Sequence, residues 1–269
     1  MRVRQYIPAE LERRLRGPAS VCRCRHYPVL DSTNDRLKEM AEAGAPEGTV
    51  VLADAQSRGR GCGGREFFSP AGTGLYMSVL LRSVRPLTLA PLITVAAAVA
   101  VSEAIEEVCA AETRIKWVND IFRGDKKICG ILTESALYHE TAEADHVVLG
   151  IGVNLYPPPG GFPAELRETA GCLYEGEPGE MGESGRGPLA AGILNRFFVY
   201  LADLAGRPFM AEYRRRSNIL GQSVVCREGG VSYAARALAI DEDGGLVVGL
   251  EDGSRKVLVS GETRIRLAG

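Results

Sequence analysis

The sequence predicts an α+β fold: a mixed or antiparallel central sheet with flanking helices, followed by a small β-barrel. Three observations point there. Extended, β-branched runs recur through the first half, two helical patterns lie among them, and after Gly221 short strands alternate with glycine-rich turns. In chain order, Asp31-Ser32-Thr33-Asn34 is an N-cap cluster opening a helix that stops at Gly44. Strands are expected at Thr49–Asp54, Gly74–Leu81, Thr113–Asp120, Lys127–Glu134 and His146–Leu155. The apolar stretch from Leu87 to Val101 reaches a charge at Glu103 and reads as a buried helix ending near Val108; it is too short for a membrane span. Tyr156-Pro157-Pro158-Pro159-Gly160-Gly161 breaks the chain, and Glu175–Pro188 reads as a mobile surface loop. A helix from about Leu189 to Leu204 follows, with Ile193, Phe197 and Leu201 on one face. Strands at Ser223–Arg227, Val231–Ile240, Leu246–Leu250 and Lys256–Ser260 complete the chain. The division expected is residues 1–220, of which 1–20 form a helix or linker, and a small β-domain at 221–269.

The chain has 269 residues, and its 32 Lys plus Arg against 34 Asp plus Glu leave a formal charge of −2. That balance argues against a surface built mainly for nucleic acid or anionic membrane. The charged N-terminus lacks the apolar run of a signal peptide, so a cytoplasmic location is expected. Seven scattered cysteines form no CxxC pair, and the three histidines stand at no metal-ligand spacing. Reduced thiols in a cytosolic protein, without a protein-held metal, are expected.

The segment Gln56-Ser57-Arg58-Gly59-Arg60-Gly61-Cys62-Gly63-Gly64-Arg65 directly follows a strand. Glycines let backbone N–H groups approach an anion, and arginine forks match phosphate or carboxylate. It fits neither a P-loop nor a dinucleotide fingerprint, and a flexible Arg/Gly surface loop is the competing reading. Three further segments favour a site: Lys116-Trp117-Val118-Asn119-Asp120, Lys126–Leu132, and Gly150-Ile151-Gly152-Val153-Asn154. Glycines two apart face one side of a strand and leave room there for a flat ligand. Lys127 leads an apolar strand and is a candidate electrostatic catalyst for a carboxylate that becomes an acyl group. A snorkelling surface lysine and a turn-capping Asp120 are the plainer alternatives.

Taken in order, Asp31–Asn34, Gln56 with Gly59–Arg65, Lys116–Asp120, Lys127–Leu132 and Gly150–Asn154 resemble the motifs of biotin protein ligases of the monofunctional type. A weaker tail pattern, Gly221…Val224 with Asp243-Gly244 and Ser260-Gly261-Glu262, extends the resemblance towards the C-terminus. The resemblance implies a class II aminoacyl-tRNA synthetase-like catalytic domain with an SH3-like C-terminal β-barrel. It implies formation of biotinyl-5′-AMP from biotin and Mg²⁺-ATP, then biotin transfer to a lysine of a biotin carboxyl carrier domain. On that basis Ser32, Thr33, Asn34 and Gln56 line the pocket of the ureido ring, while Gly130, Gly150 and Gly152 leave space for the bicycle and acyl chain. Gly59, Arg60, Gly61, Cys62 and Arg65 belong to the loop that wraps the phosphate; Lys116, Trp117, Asn119 and Asn154 join the binding set. Lys127 holds the carboxylate, and Asp120 orients either the incoming lysine or a magnesium water. Trp117 reads equally well as a core residue.

Three positions depart from the family pattern: Cys62 stands where a second loop arginine is usual, Phe67 replaces tryptophan, and Val118 replaces proline. Losing one charge-assisted contact at Cys62 costs about 1.5–3 kcal/mol, so looser retention of the adenylate is expected unless Arg58 or Arg65 compensates. Only 31 residues precede Ser32, too few for the three-helix DNA reader of regulatory members, so no operator binding is expected. A homodimer through sheet edges stays open. The rivals are a lipoate ligase or octanoyl transferase, with Cys62 or Cys129 as nucleophile, and a non-catalytic biotin or nucleotide binder.

Overall fold

The computed structural model describes residues 8–82, 89–137, 144–176, 185–259 and 264–267. Twelve strands form two sheets among these residues. The first sheet comprises β1 (Arg23–Leu30), β2 (Thr49–Gln56), β3 (Gly74–Leu81), β4 (Arg114–Lys116), β5 (Asp120–Arg123), β6 (Lys126–Leu137) and β7 (Ala144–Asn154). Its order is β1-β2-β3-β7-β6-β5-β4, with β1 and β2 parallel and every other pair antiparallel, so the sheet is mixed. The second is antiparallel: β8 (Ser223–Glu228), β9 (Val231–Ile240), β10 (Leu246–Gly249), β11 (Arg255–Leu258) and β12 (Arg264–Leu267), in the order β11-β10-β9-β8-β12. The helices are α1 (Pro8–Glu12), α2 (Thr33–Glu42), α3 (Ala90–Cys109), α4 (Arg186–Ala202) and α5 (Met210–Arg216).

Strand alternation divides the central sheet into two faces. Leu75, Met77, Val79 and Leu81 of β3 and Val147, Leu149, Ile151 and Val153 of β7 pack with α3 in the main core. Helix α3 is buried on nearly all sides from Leu92 to Ile105, Glu103 excepted, because the sheet, α4 and α5 enclose it. On the opposite face Val51, Leu80 and Val148 meet Leu37 and Ala41 of α2 in a smaller cluster. Helix α2 covers only that end of the sheet. The remainder of this face carries Tyr76 and Ser78 on β3 and Gly150 and Gly152 on β7, and here the candidate site lies.

The second sheet docks through the turn at 241–245. Gly244 has φ +81°, and a Cβ there would stand 3.0 Å from Val95 Cγ2. Its carbonyl accepts Trp117 Nε1–H at 2.8 Å. Arg207 pairs with Asp243 at 2.7 Å, and Arg214 reaches both the Ile240 carbonyl (2.9 Å) and Glu242 (2.7 Å).

Several expectations need correction. β1 escaped the sequence reading because Arg23, Arg25, His26 and Pro28 interrupt its apolar pattern, as an edge strand allows. The run Thr113–Asp120 is two short strands joined by a turn over Trp117–Asn119. Helix α5 and strand β12 were also not expected, each being only a few residues long. Helix α3 starts at Ala90, and Leu87 and Ser260–Glu262 lie outside the described residues. Residues 177–184 of the expected loop are likewise outside, while Arg186–Pro188 already belong to α4.

Helix α5 is tied to α3 by charge. Arg216, 3% exposed, donates to both oxygens of Glu106 (2.5 and 2.6 Å) and to Glu212 (2.6 Å). Hydrogen bonding from Arg215, assisted by the charge of Arg216, holds the Glu212 carboxyl down at about 2. A carboxyl lowered on folding stabilises above its unfolded value and loses that contribution as pH falls through the folded one. In urea unfolding, stability is therefore expected to decline as pH drops from about 5 towards 2, with Glu212→Gln flattening that decline. Arg216→Met should cost about 3 kcal/mol at pH 7, since it strands the partly buried Glu106, while Glu212 keeps Arg215.

Candidate active site

The floor of the site is a strip of sheet without side chains. Gly130 and Gly152 are direct cross-strand partners, and the row continues to Asp120 on β5 and Tyr76 on β3. Two residues up β7 stands Gly150, opposite Ser78. The Phe67 ring lies over the strip: a Cβ on Gly152 would come within 2.6 Å of it and one on Gly130 within 3.2 Å. Phe67 also meets Tyr76 edge-on, with ring centroids 6.4 Å apart.

A polar wall rises at one end, built by the first turn of α2. Ser32 caps the helix, its Oγ accepting from Asp35 N at 3.5 Å; such a cap contributes about 1 kcal/mol. Gln56 at the end of β2 accepts from Thr33 N (2.8 Å) and Thr33 Oγ1 (3.1 Å), and donates to Ser69 at 2.9 Å. Ser78 donates to Asn34 Oδ1 (2.5 Å) and Thr33 Oγ1 (2.7 Å), while Asn34 Nδ2 donates to Glu134 at 2.8 Å. Ser32, Thr33, Asn34 and Ser78 are all buried, so these bonds fix their orientation. Gly150 is where Asn34 approaches the sheet: a Cβ there would lie 2.2 Å from Asn34 Oδ1.

The glycine–arginine segment is a closed hairpin. Phe67 N donates to Gly59 O (2.8 Å), Gly61 N donates to Arg65 O (2.8 Å), and Cys62–Gly64 form the tip. A Cβ on Gly59 would stand 2.3 Å from the Phe67 carbonyl, so the two limbs cross only because Gly59 has none. Arg60 reaches from the hairpin to Asp35 (2.7 Å) and Glu134 (2.9 Å), and Lys38 donates to Glu134 at 2.7 Å. Arg58 pairs with Asp31 at 2.6 Å, and Arg65 Nε donates to the Cys62 carbonyl at 3.0 Å. Asp35, Arg58–Gly61 and Gly64–Glu66 line an open cleft of about 390 Å³. Burial raises Glu134, yet hydrogen bonds from Asn34 and Lys38 and the charges of Lys38 and Arg60 outweigh it, so its carboxyl is lowered overall.

The other end of the strip is charged. Lys127 Nζ lies 2.5 Å from Asp120 Oδ1 and 3.2 Å from where a Gly130 Cβ would be. Both side chains are shielded from solvent by more than two thirds, which strengthens their charges relative to a surface pair. The base of Lys127 is anchored by its N–H to Thr169 O and by Gly171 N–H to its carbonyl, both 2.8 Å, while Asn154 Nδ2 donates to Gly171 O at 3.0 Å. Asn119 Nδ2 donates to Ile131 O (2.6 Å) and Cys62 Sγ (3.1 Å), bringing the hairpin tip against β6. Burial, then the charge of Asp120, pushes the Cys62 thiol up, and burial also raises Cys129. Neither thiol has the lowered value of an activated nucleophile. Lys116 lies 5.8 Å from the Phe122 ring centroid, and Trp117 is buried with its N–H on Gly244.

Thr33, Asn34, Gln56, Gly130, Gly150, Gly152, Lys127 and Asp120 thus surround one strip, with Arg60 at its α2 end. Trp117 sits where the second sheet docks. Sequence reasoning missed Ser78, Glu134 and Ser69. Ser78 was legible as the single polar residue within the apolar run of β3. Glu134 was legible as a carboxylate at even spacing from Gly130 on β6, hence on the same face. Among the described residues no cluster of three His, Cys, Asp or Glu could hold a metal, and no helix is long and apolar enough to cross a membrane.

Fold and site define a mixed-sheet protein with a glycine strip between a polar wall and a charged pair, beside an arginine hairpin. Residues 27–154 match the biotin/lipoate A/B protein ligase family, and residues 219–263 match the biotin protein ligase C-terminal domain. The bifunctional ligase/repressor of Bacillus subtilis is 34% identical over 86% of this chain and 71% of its own length. The biotin–[acetyl-CoA-carboxylase] ligase of Mycobacterium tuberculosis is 32% identical over 85% of this chain and 83% of its own. The Aquifex aeolicus biotin protein ligase solved with biotin and ATP superposes with a TM-score of 0.74 at 28% identity, over 91% of this chain and 99% of that one. The chain belongs to the biotin/lipoate protein ligase family.

Because Gly150 makes room for Asn34, Gly150→Ala should displace the amide and weaken biotin binding by about tenfold, towards the lower end of the usual overpacking cost. Calorimetric titration with biotin measures this; an unchanged Kd would separate Asn34 from the ligand.

Proposed function

We propose that this chain is an ATP-dependent biotin protein ligase that makes biotinyl-5′-AMP, then transfers biotin to a lysine of a carboxyl carrier domain. One observation carries the reading: a side-chain-free strip runs between the fixed polar wall of α2 and the Lys127–Asp120 pair. Gly150 to Gly152 spans about 7 Å along β7, and the step to Gly130 adds about 5 Å across to β6. That distance suits an elongated ligand with its ureido ring at Thr33, Asn34 and Gln56 and its carboxylate at Lys127. The ureido ring offers N–H donors and a carbonyl acceptor to amide and hydroxyl groups; the dithiolane of lipoate offers neither and would leave that wall unpaired. Phe67, now over the strip, turns aside when the acyl chain enters.

In the first step a carboxylate oxygen of biotin attacks the α-phosphorus of ATP and pyrophosphate leaves. Lys127 exchanges Asp120 for the reacting carboxylate and stabilises negative charge developing at the acyl and phosphoryl oxygens. The arginine hairpin supplies backbone N–H groups and guanidinium forks to the phosphates. Asp120, the carboxylate at this charged end, would hold a magnesium ion bound mainly by phosphates and water, which would neutralise phosphate charge. In the second step the carrier lysine amine attacks the acyl carbonyl and AMP leaves; Asp120, released from Lys127, orients that amine. The high thiols of Cys62 and Cys129 disfavour a cysteine-acyl route.

Exchange of labelled pyrophosphate into ATP should depend on biotin and fail with lipoate. Lys127→Ala should reduce it by about 10²–10³-fold, and near-normal exchange would remove Lys127 from the chemistry. We further propose that Cys62, lacking the usual charge, leaves the adenylate loosely held. Cys62→Arg should slow its release by roughly tenfold or more, as followed by gel filtration of labelled enzyme. Unchanged release would mean that Arg58 or Arg65 already supplies the contact.

A further inference from the structure

We infer that Glu134 is a resident anion: it holds Arg60 over the site until a nucleotide phosphate takes that guanidinium. Glu134 comes from the second half of the long strand β6, yet it ends among groups from two other segments, α2 and the hairpin. Its Oε1 accepts Lys38 of α2 at 2.7 Å and Arg60 of the hairpin at 2.9 Å, while its Oε2 accepts Asn34 at 2.8 Å. One carboxylate therefore touches both the wall assigned to biotin and the arm assigned to phosphate.

The cluster is balanced. Asp35 and Glu134 face Lys38 and Arg60, two charges of each sign, with Lys38 also 3.8 Å from Asp35. Arg60 divides its fork between two different carboxylates, one nitrogen on each, instead of pairing bidentately with either. It is also 45% exposed, so each bond is the weak, exchangeable kind. A phosphate group, with several oxygens and more charge, offers the planar fork a better partner. Glu134 is less exposed than Arg60, 18% against 45%, and stays fixed to Asn34 and Lys38 when Arg60 departs. Arg60 is the movable partner, and its resting place is set by an acid rather than left to solvent.

The role is one of positioning, and it rests on reading the site as an ATP site. Glu134→Gln keeps an acceptor for Asn34 but removes the charge that competes for Arg60. Calorimetry with Mg²⁺-ATP should then show binding tightened by roughly two- to fivefold, the size of a released half-exposed ion pair. The biotin Kd should stay within about twofold of wild type, because a neutral hydrogen bond to Asn34 persists. The tightening should vanish in an Arg60→Ala background and persist in a Lys38→Ala background. A merely structural glutamate would weaken both ligands in every background. Unchanged or weaker ATP binding, or the same tightening without Arg60, overturns the role of Glu134. Absence of biotin-dependent pyrophosphate exchange in the wild-type protein would instead overturn the ligase reading itself, so the two failures are distinguishable.

Discussion

The structure depends on the close approach of α2 to the sheet at Gly150. The amide of Asn34 occupies the place that any Cβ would take, and from there it binds Ser78 on β3 and Glu134 on β6. That contact sets the height and rotation of the helix N-terminus. Once it is fixed, Thr33 meets Gln56 at the end of β2, and Gln56 in turn steadies Ser69 and the return limb of the hairpin. The apolar cluster of Leu37, Ala41, Val51, Leu80 and Val148 supplies the adhesion beneath, but it specifies no ligand. The polar groups at the helix start are buried, so each must be paired.

Charge in the site is arranged as neutral pairs that can be opened. Lys127 is paired with Asp120, and Arg60 with Asp35 and Glu134. This arrangement avoids the cost of shielding isolated charges from water. It also keeps the cations in place for an anionic ligand, which exchanges one partner for another instead of ordering a free side chain. The small β-domain contributes at a distance, through the Gly244 carbonyl on Trp117, which closes the turn between β4 and β5 from behind. Asp120 begins β5, so the docking of one domain bears on a charged residue of the other.

Much of this was legible in the sequence, and the failures have physical reasons. The apolar strands β2, β3 and β7 announce themselves because both of their faces are largely covered, and β6 does so through its apolar run Ile128–Leu132. β1 does not, because an edge strand needs only one buried face and tolerates Arg23, Arg25 and Pro28. The break at Trp117–Asn119 is invisible in a run of extended residues, since a turn demanded by packing leaves no glycine there. The Gly59–Arg65 segment could be read as flexible; its closure rests on long-range bonds to Phe67 and Asn119 that composition does not encode. The glycine strip was readable from the spacing of Gly150 and Gly152, and even spacing from Gly130 puts Glu134 on the same face, but that spacing does not encode its bonds to Asn34 and Lys38 of α2.

A crystal structure of the protein with biotin would show whether the strip of Gly130, Gly150 and Gly152 is the bed of the ligand. The ureido ring is expected against Thr33, Asn34 and Gln56, the acyl chain along the three glycines in the place now taken by the Phe67 ring, and the carboxylate on Lys127. Biotin bound elsewhere, with Phe67 still seated on Gly152, would contradict it.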